Sequence, residues 1–169
     1  MAIGVYAGSF DPITKGHLAV IRQALKVVDT LHVVVAFNPA KNGMFEMTER
    51  LILIHASIKE ELAYIAQGRI IVGFITHSLT VEYAKRVDAN VLVRGLRNGT
   101  DYAYERSQAA INGKLAPEIE TIFIPTPVAY EEVSSSTVKG LMKFEGGEVA
   151  AREFVTPSVL EAIKNRSHF

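Results

Sequence analysis

Cysteine is absent from all 169 residues, which removes disulfides, thiolate nucleophiles and cysteine-bound zinc or iron–sulfur centres. A surplus of positive charge is missing as well, since lysine plus arginine equals aspartate plus glutamate at 18 each. Coating a nucleic-acid backbone requires such a surplus, so no nucleic-acid partner is expected, although a local basic pocket for one nucleotide stays open. No apolar run approaches the ~20 residues of a membrane helix. Met1-Ala2-Ile3-Gly4-Val5-Tyr6 carries no basic segment ahead of a long apolar stretch. No membrane partner is expected, and the cytoplasm is the expected compartment.

Hydrophobic residues make up 49% of the chain and charged residues 21%, the balance of a packed globular fold and not of a disordered one. The length suits one domain spanning residues 1–169. Short apolar runs at 3–7, 31–37, 70–74, 91–93 and 119–124 read as strands, the fourth stopping at Arg94-Gly95. Between them lie helical patterns. Leu18, Ile21, Ala24, Leu25 and Val28 recur at helical spacing; Thr48 reads as the N-cap of a helix whose buried stripe is Leu51, Ile54, Ile58 and Leu62. Further helices are expected at 81–87, 102–115 (with small residues on one side), 135–144 and 158–164. This alternation predicts an α/β, Rossmann-like, doubly wound five-stranded parallel sheet with helices on both faces. Ligands in such sheets bind at the carboxyl ends of the strands, near the point where strand order reverses.

The strand ends carry the unusual residues. The first runs into Gly8-Ser9-Phe10-Asp11-Pro12-Ile13-Thr14-Lys15-Gly16-His17. Gly8 permits a tight turn, Ser9 offers a hydroxyl, and Gly16-His17 open a helix whose free amides attract a phosphate. Gly-His alone would be an ordinary β–α turn. After the second strand Lys41 is a flexible cation suited to bridging phosphates, or a solvated loop lysine. After the fourth, Arg94 and Arg97 flank Gly95-Leu96; they can clamp phosphate oxygens or pair with surface carboxylates. Ser134-Ser135-Ser136-Thr137 starts a helix, as N-cap, as anion site, or both. Four such segments on one edge of one sheet argue for a common site. His32, His55, His77 and His168 carry no partner pattern and read as structural or solvated.

These segments resemble the nucleotidyltransferase superfamily related to class I aminoacyl-tRNA synthetases, over nearly the whole chain. Within it they are similar to the bacterial phosphopantetheine adenylyltransferase family. The superfamily's first motif is usually His-x-Gly-His; here Thr14-Lys15-Gly16-His17 has the threonine typical of that branch. Arg94-Gly95-Leu96-Arg97, Asp101-Tyr102-Ala103-Tyr104-Glu105 and Ser134-Ser135-Ser136-Thr137-Val138-Lys139 follow in the branch's order. Departures are Ser9 for a common threonine, Asn42-Gly43 for a usual Lys-Pro, Tyr130 where relatives often have tryptophan, and a longer stretch at 75–78.

The resemblance implies transfer of AMP from ATP to 4′-phosphopantetheine, giving dephospho-coenzyme A and pyrophosphate, by direct in-line displacement with Mg²⁺. It implies that His17, Lys41 and Arg94 are catalytic, His17 donating to the α-phosphate. ATP would be bound by Ser9, Phe10, His17, Gly95, Leu96, Arg97, Glu105, Tyr130, Glu131, Glu132, Val133, Ser134, Ser135 and Ser136. The acceptor would be bound by Ser9, Lys41, Thr80 and Arg94. A homohexamer and inhibition by coenzyme A are implied in the same way; ligands for the metal are not legible. Two alternatives stay open: a sister enzyme acting on nicotinamide mononucleotide or transferring CMP to glycerol phosphate, and a non-catalytic nucleotide sensor on the same fold.

Overall fold

The computed structural model describes residues 1–37 and 43–166. Lys41, Asn42 and His168 lie outside the described residues. Five strands form one parallel sheet: β1 (Ile3–Gly8), β2 (Thr30–Phe37), β3 (Ile70–Thr76), β4 (Val91–Leu96) and β5 (Glu120–Pro125). The helices are α1 (Lys15–Ala24), α2 (Met47–Glu61), α3 (Ala63–Ala66), α4 (Thr80–Arg86), α5 (Gly99–Leu115), α6 (Ser135–Leu141), α7 (Gly147–Ala151) and α8 (Pro157–Arg166). Strand order is β3-β2-β1-β4-β5. The chain builds outward from β1 through β2 to β3, then crosses back and lays β4 on the other side of β1.

The inner strands β1 and β2 are buried on both faces along most of their length and are mainly apolar, whereas the edge strands β3 and β5 are largely half-buried or exposed. Successive side chains still point to opposite faces. Tyr6, Val33, Val35 and Val93 join the core built with Ile21 of α1, Ile54 of α2 and Ile163 of α8. Val5, Ala7, Val34 and Leu92 join the second core, with Val81 and Ala84 of α4. His32 sits among these strand residues as a structural histidine, its Nδ1 3.1 Å from the Tyr83 hydroxyl.

Several boundaries differ from the sequence pattern. β4 continues through Arg94 and Gly95 to Leu96, because pairing with β5 persists there (Arg94 beside Phe123, Gly95 beside Ile124) after pairing with β1 has ended at Val93. Thr48 is not the N-cap of α2; that helix begins at Met47, and the Glu49 carboxylate reaches back to accept the Glu46 amide at 2.8 Å. α5 starts at Gly99 because Asn98 caps it, accepting from the Asp101 amide at 2.9 Å, and none of its residues is buried. The helix from Ser135 ends at Leu141, not at residue 144, and α3 and α7 are single turns too short to leave a periodic pattern.

Ile54 is fully buried between α2 and the sheet. Ile54→Ala is expected to cost about 2–5 kcal/mol, because the packed surroundings collapse only partly into the space left; urea unfolding of the purified protein measures it.

Candidate active site

The loop leaving β1 is shaped by Phe10. Its backbone is left-handed, with φ of 43°, a conformation costing a side-chain-bearing residue about 1–2 kcal/mol. Its ring is fully buried, and burying a phenylalanine returns about 1.5–3 kcal/mol, so the burial outweighs the strain. Gly8 leaves room beneath it, since a β-carbon there would press on the ring at 3.2 Å. The outcome is that Ser9 is exposed at the sheet edge while Phe10 anchors the turn.

Thr14 then caps α1. The His17 amide points to Thr14 Oγ1 at 3.4 Å, and His17 Nδ1 accepts the Thr14 amide at 3.0 Å with Thr14 Oγ1 2.9 Å away. Histidine thus fills the position that glutamate or glutamine takes in a usual capping box. Because Nδ1 accepts a backbone N–H, the ring proton of neutral His17 is assigned to Nε2. The ring meets Phe10 edge-on at 5.1 Å between centroids. Burial first, and then the Arg97 guanidinium, push the His17 pKa down from 6.5 to about 4. The group is a neutral donor at physiological pH. The Lys15 amide is taken by the Phe154 carbonyl at 2.8 Å, so among the first three amides of α1 Gly16 alone lacks a bond among the described residues.

His17 and Gly16 open onto a cavity of about 290 Å³ at the carboxyl ends of β1 and β4, a volume suited to part of a small ligand. The expected residues Ser9, His17, Arg94, Gly95, Arg97, Glu105, Val133, Ser134, Ser135 and Ser136 all form its wall. Phe10 and Leu96 do not, Phe10 because its side chain is buried beneath the loop. Tyr130, Glu131 and Glu132 lie outside the wall as well; Tyr130 runs past the start of α1, its Cβ 3.7 Å from where a Gly16 side chain would begin. Thr80 opens α4 beyond β3 and is not part of this cavity.

Both arginines have carboxylate partners. Arg97 makes a two-pronged contact with Asp101, Nε to Oδ2 at 2.8 Å and Nη2 to Oδ1 at 3.0 Å. Burial works against the charge of Asp101, but the Arg97 side chain, amide and charge together hold its carboxyl below the ordinary range. Arg94 Nε stands 3.4 Å from Glu105 Oε2. That oxygen is buried and makes no hydrogen bond among the described residues, so the pair attracts by charge alone while Glu105 contributes to the cavity wall.

Wall residues not singled out from the sequence as binding residues include Tyr6, Val20, Asp101 and Thr126. Signals for each existed. Tyr6 shares a strand face with Gly8, Val20 lies one helical turn beyond His17, Asp101 is four residues after Arg97, and Thr126 directly follows β5. Burial raises the Tyr6 hydroxyl well above its ordinary pKa, with Arg94 pulling the other way, so Tyr6 remains protonated.

Residues 5–141 match the cytidylyltransferase-like family. The phosphopantetheine adenylyltransferase of Alkaliphilus metalliredigens is 40% identical over 167 residues, covering 99% of this chain and all of the relative. That of Chromobacterium violaceum is 42% identical over 159 residues, covering 94% of this chain and 93% of the relative. Among solved structures, the Plasmodium falciparum nicotinic acid mononucleotide adenylyltransferase complexed with NaAD superposes with a TM-score of 0.73 at 18% identity, covering 99% and 96%; this likeness is one of fold.

The depressed pKa has two measurable consequences. Nitrogen-detected NMR should show His17 with an accepting Nδ1, unchanged between about pH 6 and 9 and titrating near the value of about 4 given above; a midpoint near 6.5 would contradict the capped geometry. Between those two pKa values the unfolded chain binds a proton that the native state refuses. The stability His17 contributes is therefore complete above about pH 6.5 and lost as pH falls toward about 4.

Proposed function

The chain belongs to the phosphopantetheine adenylyltransferases within the cytidylyltransferase-like family, and from that premise we propose that it transfers AMP from ATP to 4′-phosphopantetheine, releasing pyrophosphate and dephospho-coenzyme A. The observation that carries the mechanism is the neutral, capped His17 facing a cavity shared with Arg94 and Arg97.

The nucleophile in this reaction is a phosphate oxygen, already an anion near neutral pH. It attacks the α-phosphorus of ATP; the bond from that phosphorus to the α,β-bridging oxygen breaks, and pyrophosphate leaves with the electron pair. No proton has to be removed, so no general base is required, and a His17 with a pKa of about 4 would be needed only as a donor. Its Nε2–H would donate to the α-phosphate oxygen that gains charge in the transition state, with the free Gly16 amide beside it. Arg94 would hold the acceptor phosphate and Arg97 the distal phosphates of ATP, each exchanging a carboxylate for a phosphate. Glu105, in the cavity wall beside Arg94, would complete the ATP pocket. Ser9 and Lys41 would hold the two substrates' phosphates near one another.

Magnesium would arrive on ATP. The cavity's carboxylates Asp101 and Glu105 are each set against an arginine, and the described residues hold no group of three histidine, aspartate or glutamate side chains that could bind a metal. That donor set fits an ion carried on triphosphate oxygens. A homohexamer in the cytoplasm, inhibited by coenzyme A, completes the reading. No described helix is long and apolar enough to cross a membrane, and the exposed Tyr104 and Ile111 of the unburied α5 offer a surface to a second copy.

Pyrophosphate release from MgATP, assayed with a panel of acceptors, should occur with 4′-phosphopantetheine; turnover with a mononucleotide alone would refute the assignment. His17→Ala should lower the rate by ~10²-fold or more with ATP affinity little changed, the loss expected of one preorganised donor. Arg94→Ala should act mainly on the KM for the acceptor, and an effect confined to ATP would reverse the division between the two arginines.

A further inference from the structure

Asp11 is 4% exposed, and Arg50 is 5% exposed. Neither forms the wall of the cavity, yet together they join the segments that do. Asp11 Oδ2 accepts the Met44 amide at 2.9 Å, and Oδ1 accepts the Phe45 amide at 2.8 Å. Lys139 of α6 donates to Oδ2 at 3.0 Å, and Arg50 Nε stands 3.4 Å from Oδ1. The Arg50 guanidinium then continues outward, Nε donating to the Phe45 carbonyl at 2.7 Å and Nη1 to the Ser9 carbonyl at 3.1 Å. Its carbon lies 5.3 Å from the centre of the Phe37 ring. Burial opposes the charge on Asp11, but the Met44 amide, Lys139, the Phe45 amide and Arg50 outweigh it and keep the carboxyl below its ordinary range.

Gly43 belongs to the same construction. A β-carbon there would come within 2.0 Å of Arg50 Nη2 and 3.1 Å of Asp11 Oδ2, so glycine is what allows the backbone to close over the ion set. The glycine therefore lets the chain behind Lys41 be clamped.

Cohesion alone does not require these charges. Buried ion sets cost several kcal/mol per ion in desolvation, and apolar residues of like volume often hold a fold as well or better. What the ions add is direction, since each bond fixes one backbone group. The groups fixed are the carbonyl of Ser9, the amides of Met44 and Phe45 a few residues beyond Lys41, and, through Lys139, the helix whose first residues Ser135 and Ser136 face the cavity. Ser135 adds a second tie, donating to the Pro12 carbonyl at 2.8 Å.

We propose that Arg50 is a positioning residue for the transfer reaction, acting with Asp11 and Lys139 to hold the Ser9 loop, the chain behind Lys41 and the start of α6 in one register. Two phosphates that must meet in line are then presented by segments that cannot drift apart. The role in turnover rests on the adenylyl-transfer reading above; the clamp itself is a matter of geometry.

The test uses full-length Arg50→Lys and Lys139→Met. Lysine keeps the charge at position 50 but lacks the planar fork that reaches Asp11, Phe45 and Ser9 at once. The Lys139 side chain is 34% exposed, so its loss should leave the fold intact. Both variants should lower kcat by ~10-fold or more while the KM for ATP stays within ~3-fold, since ångström-scale misplacement costs rate more than binding; Lys139→Arg should restore most of the rate. Amide exchange should quicken at Met44 and Phe45 while the β1 amides stay protected. A lower melting temperature with kcat per folded enzyme unchanged would reduce Arg50 to a structural ion and overturn the proposal. Unchanged exchange at Met44 and Phe45 in Lys139→Met would overturn the clamp whatever the activity. Wild-type protein that released no pyrophosphate with 4′-phosphopantetheine would instead refute the assigned reaction, leaving the exchange result to decide the clamp.

Discussion

The reversal of strand order at β1 is the constraint on which the rest of the molecule hangs. Parallel strands all end on the same edge, so the segment leaving β1 turns toward α1 while the one leaving β4 turns toward α5. No connection fills the gap between them. A cleft must open there, and whatever the two segments carry faces it. Ser9 and His17 line one side, and Arg94, Gly95 and Arg97 the other. The second requirement is that β1 sit in the middle of the sheet, and its residues supply it: they are apolar enough to be buried on both faces, which an edge strand could not sustain.

Within the cleft, charge is arranged so that the resting site is nearly neutral. Arg97 is paired with Asp101 and Arg94 stands against Glu105, and His17 is uncharged. Partly exposed ion pairs of this kind are worth only about 0–1 kcal/mol, so they orient the arginines more than they stabilise the fold. Under the proposed reaction a phosphate would take the place of a carboxylate on arginines already held in position by Asp101 and Glu105. His17 follows the same logic. Its orientation is fixed by the helix cap it completes, so the donor is aligned by the secondary structure itself.

A second ion set lies behind the first and never meets the cavity. Asp11 and Arg50 are as buried as core leucines, and beside their own pairing and Lys139 the bonds they make are to backbone. Rigid elements position a site better than loops do; here the catalytic edge is mostly loop, and the buried ions give it the rigidity it lacks. The fully buried Phe10 ring does the same from the apolar side.

Much of this was written locally. The apolar runs marked all five strands, the Gly8–His17 segment marked the turn that lines the cavity, and Arg94, Arg97 and the serines before Val138 marked the same edge, because short-range periodicity and turn chemistry depend only on neighbours. Thr14-x-x-His17 even contained its own cap. Tertiary structure alone decided where β4 ended, since pairing with β5 carried it through Arg94 to Leu96. It alone brought Tyr6 and Thr126 into the wall and placed Thr80 elsewhere. It alone joined Asp11 to Lys139, 128 residues apart, and gave Gly43 a guanidinium to accommodate. Residue types state what bonds a chain can make; only closing the sheet brings donors and acceptors from distant segments within 3 Å and removes the water that would otherwise satisfy them.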